Sequence, residues 1–344
     1  MVSNSDRKLE HLNISLGSKY NLRQGSNGLS GYRFIHQALP QVDLASIDAS
    51  TSFLGRKLKL PLMISPLVGG IEKSREINRN LARVAQKAGI VMGVGSQRTA
   101  IEDGMPAETY QVRDLAPDIL LLANLGAVQL NYGYGIDQCR QAVEMIAADG
   151  LCLHLNGMQE AFQNEGNHDF SRLAEKIGQI CRQADFPVIV REVGFGMDET
   201  AAGKLIEAGV AAIDVGGSGG TSWVKIEKIR SRDEVLKKIA SQFSRWGIPT
   251  ADSIIRVRTA SKSIPLIASG GIRNGLEAAK CIALGADVAG IGLPLLRAVN
   301  DSVDCALNFI HEIEMGLRIA MFGIGAADIW SLKNTKYLIK EVPS

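Results

Sequence analysis

The 344-residue chain has only five cysteines and no Cys-x-x-Cys pair. Cys139, Cys152, Cys181, Cys281 and Cys305 stand singly and are odd in number, which excludes a disulfide framework and a cysteine-rich zinc site. A reducing, cytoplasmic setting fits them best. There is no excess charge of one sign. The balance is +2, too mild to predict nucleic acid or an anionic membrane as partner. Long apolar runs are missing as well. The longest, from Cys281 to Leu296, is interrupted by Asp287, three glycines and Pro294 and cannot be read as a membrane span. Met1 to His11 is polar and charged and predicts no signal peptide. No linker, low-complexity tract or solenoid repeat divides the chain, so one domain is expected.

Short apolar runs alternate with longer amphipathic segments. The runs are Leu60–Ser65, Ile90–Val94, Ile119–Ala123, Leu151–Leu155, Val188–Val190, Ala211–Val215, Pro265–Ala268 and Val288–Ile291. Helical periodicity falls at Arg75–Lys87, Gln138–Ala147, Phe170–Arg182, Glu199–Ala208, Asn274–Leu284 and Cys305–Phe322. Runs this apolar suit strands buried on both faces, as in a parallel sheet. Eight of them alternating with helices predict an α/β fold closed as a (β/α)8 barrel. Residues 1–58 read as an N-terminal arm or cap, 59–322 as the barrel and 323–344 as a tail.

Glycines cluster after the last three runs, at Gly216–Gly220, at Gly270–Gly271 and at Gly290 with Gly292. In barrels the loops after late strands commonly hold a phosphate, and glycine lets backbone N–H groups approach an anion closely. Ser218, Thr221 and Ser222 add hydroxyls. The pattern suits a phosphate-bearing cofactor such as FMN, with a phosphosugar as the other possibility.

The fourth run, Leu151–Leu155, carries His154 and, two residues on, Asn156. Strand alternation puts both on the face that ends at the barrel mouth, and Gln159 and Glu160 follow on the loop. Taken singly, His154 reads as a core histidine and Glu160 as surface. Four polar groups converging at a strand end would be costly in a core. One carboxylate without paired His or Cys is poor for zinc and suits Mg2+ held with waters and substrate phosphates. Arg98, after the second strand, is placed to meet an anion. Arg7, Lys8 and His11 could do so if the arm folds over the mouth. Arg191 ends the fifth strand, where a cation could face a flavin's N1/C2 edge; a salt bridge with Glu192 or another barrel carboxylate is the plain alternative, although adjacent strand residues point opposite ways.

The segments RKLEH (Arg7–His11), GVGSQR (Gly93–Arg98), ANLG (Ala123–Gly126), QLNYGYG (Gln129–Gly135), HLNGMQE (His154–Glu160), REVGFG (Arg191–Gly196), GGSGGTSW (Gly216–Trp223) and SGGIRNG (Ser269–Gly275) resemble, in this order, type 2 isopentenyl diphosphate isomerases. The resemblance covers nearly the whole chain. It implies FMN, Mg2+, a prenyl diphosphate substrate, NADPH or another reductant for the flavin, and a homotetramer or octamer. It implies flavin contacts at Ser65, Val68, Ser96, Asn124, Arg191, Thr221, Gly270 and Gly271. On the diphosphate side it implies Arg7, Lys8, His11, Arg98, His154 and Asn156, with Gln159 and His154 at the chemistry and Glu160 on the metal. Three positions depart from the pattern. Val68 lacks a hydroxyl expected near the flavin, Arg191 replaces a usual lysine, and Gly157 replaces a usual proline. A second reading is therefore a divergent FMN-dependent barrel, either an oxidoreductase or an isomerase-like enzyme with another substrate.

Overall fold

The computed structural model describes residues 4–17, 19–102, 104 and 107–341. Eight parallel strands close into a barrel: β1 (Leu62–Ile64), β2 (Val91–Gly93), β3 (Leu121–Gly126), β4 (Gly150–Leu155), β5 (Val188–Glu192), β6 (Ala212–Asp214), β7 (Leu266–Ser269) and β8 (Val288–Ile291). All eight expected runs form these strands. The six expected helices also form, packed outside the barrel. Their apolar faces and the outward faces of the strands make one continuous core.

The barrel interior is layered. Met63, Val91, Leu122, Ile189, Ala212, Ile267 and Val288 form an apolar floor, sealed from below by Phe53 and Leu58 of a short hairpin. Strand alternation makes the next inward position two residues further along each strand. That layer is Ser65, Gly93, Asn124, His154, Arg191, Asp214, Ser269 and Gly290. The interior thus turns from apolar to polar in one pleat, and the polar layer faces the mouth.

Two matching clamps tie the far end of the barrel. Arg113 donates to the carbonyls of Ala116, Ile119 and Ala147 and to Asp149 Oδ2 at 2.7 Å, which also accepts Leu121 N–H at 2.8 Å. Arg258 repeats this with Ser261, Ile264 and Gly285 and with Asp287 Oδ2 at 3.0 Å, which accepts Leu266 N–H at 2.8 Å. The first closes β3 onto β4 and the second β7 onto β8.

The structure adds to the sequence expectations in three places. Residues after Thr221, left without assignment, form helices Trp223–Arg230, Glu234–Gln242 and Thr250–Ala260. The arm opens with the helix Asn4–Leu16. Its strand Tyr32–Phe34 pairs antiparallel with Leu338–Lys340 of the tail, so the two ends of the chain form one small sheet. Among the described residues, no helix is long and apolar enough to cross a membrane.

Candidate functional site

At the strands' C-terminal end lies a cavity of about 560 Å³. It is lined by the glycine loops on one side and by β4, the residues after it and the Asn4–Leu16 helix on the other. Every site residue implied by the family resemblance lines it: Arg7, Lys8, His11, Ser65, Val68, Ser96, Arg98, Asn124, His154, Asn156, Gln159, Glu160, Arg191, Thr221, Gly270 and Gly271.

On the glycine side, the loops after β6 and β7 interlock backbone to backbone. Gly270 has φ 114° and Gly271 φ 83°, in the left-handed region that favours glycine. A Cβ on Gly270 would sit 2.1 Å from Gly217 O, and one on Gly271 would sit 2.3 Å from Gly219 O. No other residue fits. Arg273 donates to Gly271 O and Gly219 O at 2.6 Å each, pinning both loops. Arg23, exposed on the arm, bridges to Thr221 and lines the cavity beside them. Of the hydroxyls expected here, Ser222 instead caps the Trp223–Arg230 helix, accepting Lys225 N–H. Ser218 is buried and bridges to Pro249. Thr221 alone of the three faces the cavity.

On the polar layer, His154 Nδ1 lies 2.8 Å from Asn124 Oδ1. Asn124 Nδ2 donates to Val94 O at 3.0 Å, so Asn124 Oδ1 must accept and His154 carries its proton on Nδ1. Burial, then the charges of Arg191 and Lys8, push the His154 pKa down to about 3. The ring is neutral. Glu192, next to Arg191, points away from the barrel axis, and its Oε2 accepts the N–H groups of Gly194, Phe195 and Gly196. Arg191 lies instead against Asp214, its register partner, with Nε to Oδ2 at 3.4 Å.

Gln159 and Glu160 do not lie on a loop as expected. They sit on a single helical turn, Gly157–Ala161, because Asn156 leaves the strand and Glu160 N–H returns to Asn156 O. The Glu160 carboxylate is buried and accepts Asn156 Nδ2 at 2.6 Å, Gln163 Nε2 at 3.2 Å and Asn167 N–H at 2.6 Å. Asn167 Oδ1 in turn accepts Arg98 Nη1 at 2.9 Å and Gln129 Nε2 at 3.0 Å. Asn156 Oδ1 and Gln129 Oε1 are left buried without a partner in the protein. Among the described residues no group of three His, Cys, Asp or Glu gathers. One carboxylate beside neutral oxygens fits Mg2+ that keeps waters and phosphate oxygens, and does not fit zinc.

The N-terminal helix delivers its cations to the mouth, each already engaged. Lys8 Nζ donates to Ser96 O at 2.6 Å, Tyr110 OH at 2.7 Å and Thr99 Oγ1 at 3.0 Å. Arg7 donates to Asn4 Oδ1. His11 Nε2 meets Glu227 Oε1 at 2.8 Å, and burial holds its pKa below the ordinary value despite that carboxylate.

Glu227 is a residue the sequence reading missed. It lies behind the cavity wall, where Oε1 also faces Gln159 Nε2 at 3.5 Å and Oε2 takes Arg230 Nη1 at 2.5 Å. Burial raises its pKa, but His11 and Arg230 outweigh that and hold it below the usual carboxylate range. Arg23, Gln163, Asn167 and Arg273 were missed too. Arg273 stood inside the SGGIRNG segment; the other three had no local signal beyond their residue type.

The residues present fit FMN on independent grounds. The glycine cradle admits only backbone-close approach, and Ser65 Oγ and Arg191 Nε are buried polar atoms without a hydrogen-bond partner in the protein. The profile of FMN-dependent dehydrogenases matches residues 4–113 and 137–339. Two solved structures share the fold: a mandelate oxidase (TM-score 0.66, 15% identity, 99% of this chain and 100% of that one) and a flavocytochrome b2 with pyruvate bound (TM-score 0.66, 16%, 96% and 82%). The fold and site are therefore those of an FMN-dependent barrel protein. An isopentenyl-diphosphate delta-isomerase of Nostoc sp. is 46% identical over 96% of this chain and 94% of its own length. One of Synechococcus sp. is 48% identical over 95% and 94%. The chain belongs to the isopentenyl-diphosphate delta-isomerase family of enzymes.

Proposed function

We propose that this protein interconverts isopentenyl and dimethylallyl diphosphate, with FMN on the glycine loops, Mg2+ at Glu160 and a reductant such as NADPH to charge the flavin. The observation that carries the reading is one cavity with the glycine loops on one wall, Arg7, Lys8, His11 and Arg98 on the other, and the polar layer between them. Reduced FMN, when bound, supplies the proton donor and the stabilising face for an alkene, with no net redox change. The protein's own groups do the rest. Arg98, held by Asn167, and Arg7, Lys8 and His11 on the helix would grip the diphosphate. Asn156 and Glu160 would hold the metal against it. Gln159, backed by Glu227, would lie beside the reacting carbons and orient the C2 proton. Arg191 would face the N1/C2 edge of the flavin and favour its anionic reduced form. Ser65, Val68, Ser96, Asn124 and Thr221 would complete the flavin contacts, Val68 by apolar contact only. The N-terminal helix, which lines the mouth, would exclude water, which protonation of an unactivated alkene requires. A single-domain cytoplasmic homo-oligomer, a tetramer or octamer, belongs to the same reading and is checked by light scattering.

The test is anaerobic incubation of dithionite-reduced, FMN-loaded protein with Mg2+ and isopentenyl diphosphate. Dimethylallyl diphosphate formed without flavin oxidation is expected. Flavin oxidation in step with substrate turnover would indicate an oxidoreductase instead. Bound FMN with no product would leave an isomerase-like barrel with another substrate.

A further inference from the structure

Of the eight positions in the polar layer, only Arg191 and Asp214 carry charge, since His154 is neutral. They are register partners on β5 and β6, and their side chains are almost fully buried. Arg191 Nε and Asp214 Oδ2 face each other at 3.4 Å, yet neither atom completes a hydrogen bond. Arg191 Nη1 reaches only Pro66 O, at 3.4 Å. A buried pair without good hydrogen bonds recovers little of its desolvation cost, so stability alone does not account for it. The other oxygen of Asp214 is well held. Oδ1 accepts Ser269 Oγ at 2.6 Å and Gly216 N–H at 3.2 Å. Ser269 is the last residue of β7 and Gly216 lies two residues past the end of β6, at the roots of the two interlocked glycine loops. One carboxylate therefore touches the cation of β5 and the roots of both cofactor loops.

We propose that Asp214 is a positioning residue for Arg191: its carboxylate fixes and offsets the guanidinium charge presented to the flavin, and so sets how much more tightly the site holds reduced FMN than oxidised FMN. This rests on the placement of Arg191 at the flavin given above. Reduction by dithionite adds two electrons and one proton from solvent, leaving one negative charge on the pyrimidine side of the ring. A lone Arg191 would stabilise that charge strongly. Asp214 tempers it, keeping both redox forms bound. A charge a few ångströms from the ring is worth of order tenfold in the ratio of the two affinities.

The experiment measures the flavin midpoint potential of FMN-loaded wild type, Asp214→Asn, Arg191→Met and the double variant, with FMN affinity determined alongside. Asp214→Asn should move the potential positive, with reduced FMN held about tenfold tighter relative to oxidised FMN. Arg191→Met should move it negative. The double variant buries no lone charge and should return close to wild type. It also serves as the test if Asp214→Asn does not fold. An Asp214→Asn potential equal to wild type, or a double variant well negative of wild type, overturns the role of Asp214. If Arg191→Met and Asp214→Asn both leave the potential unchanged while FMN still binds, the placement of Arg191 at the flavin has failed instead.

Discussion

His154 Nδ1 and Asn124 Oδ1, 2.8 Å apart on adjacent strands, fix the tautomer of the histidine. Asn124 is itself held by Val94 O and by Gln97, whose Oε1 accepts Asn124 N–H at 2.9 Å. Burial, then the charges of Arg191 and Lys8, keep His154 neutral, and its lone pair is on Nε2. In the protein without diphosphate, ring 15N shifts should show no imidazolium down to about pH 4, in keeping with a pKa pushed to about 3. Asn124→Asp places a carboxylate against the ring and should raise that pKa by about one pH unit or more. A wild-type ring titrating near 6.5 would contradict the reading.

Glu160 is separable from the flavin. Its three donors all come from β4's exit and the residues up to Asn167, none from the glycine loops. Glu160→Ala should abolish turnover in saturating Mg2+ while the bound FMN spectrum is unchanged. Glu160→Gln keeps the shape but removes the charge, and should lose at least about a hundredfold in kcat/KM, the scale of 2.7 kcal/mol. Full activity in either variant would remove the metal role.

Arg23 shows how much of this site is out of reach of the sequence. It sits on the arm nearly 200 residues before Thr221, which it meets. The β4 pair was legible because a period of two puts His154 and Asn156 on one side whatever surrounds them. The glycine loops were legible because conformations such as those of Gly270 and Gly271 exclude other residues. Glu227 was not, because a glutamate on a short helix reads as surface until His11, Gln159 and Arg230 are folded around it. The Tyr32–Phe34 pairing with Leu338–Lys340 likewise exists only in three dimensions. If Arg23 meets the cofactor phosphate, Arg23→Ala should weaken FMN about tenfold, the scale of one charge-assisted hydrogen bond. Riboflavin, which lacks the phosphate, should be unaffected. Equal losses for both ligands would rule the contact out.

The clamps at the opposite end predict a stability effect with a definite pH sign. Asp149 is partly buried, and burial acts to raise its pKa. The Leu121 N–H and the guanidinium groups of Arg113 and Arg56 outweigh this, so its pKa lies below the usual 3.8. A lowered carboxylate pKa stabilises the folded state above the unfolded value and loses that contribution as pH falls through the folded one. Asp149→Asn should cost about 2 kcal/mol at neutral pH, less than a fully buried pair because about a fifth of the side chain is exposed. For a chain of this size that is a fall in Tm of about 3 °C. The gap between wild type and variant should hold from neutral pH to about pH 4 and narrow only below it. Arg113→Met should cost a similar amount, and the double variant less than the sum, since the two side chains share one clamp. Strict additivity, or a gap that narrows already at pH 6, would show that the pair does not act as a unit. Because the Arg258–Asp287 clamp repeats the same donors and acceptors at β7 and β8, its variants should reproduce the loss. Neither set should change FMN affinity at the other end of the barrel.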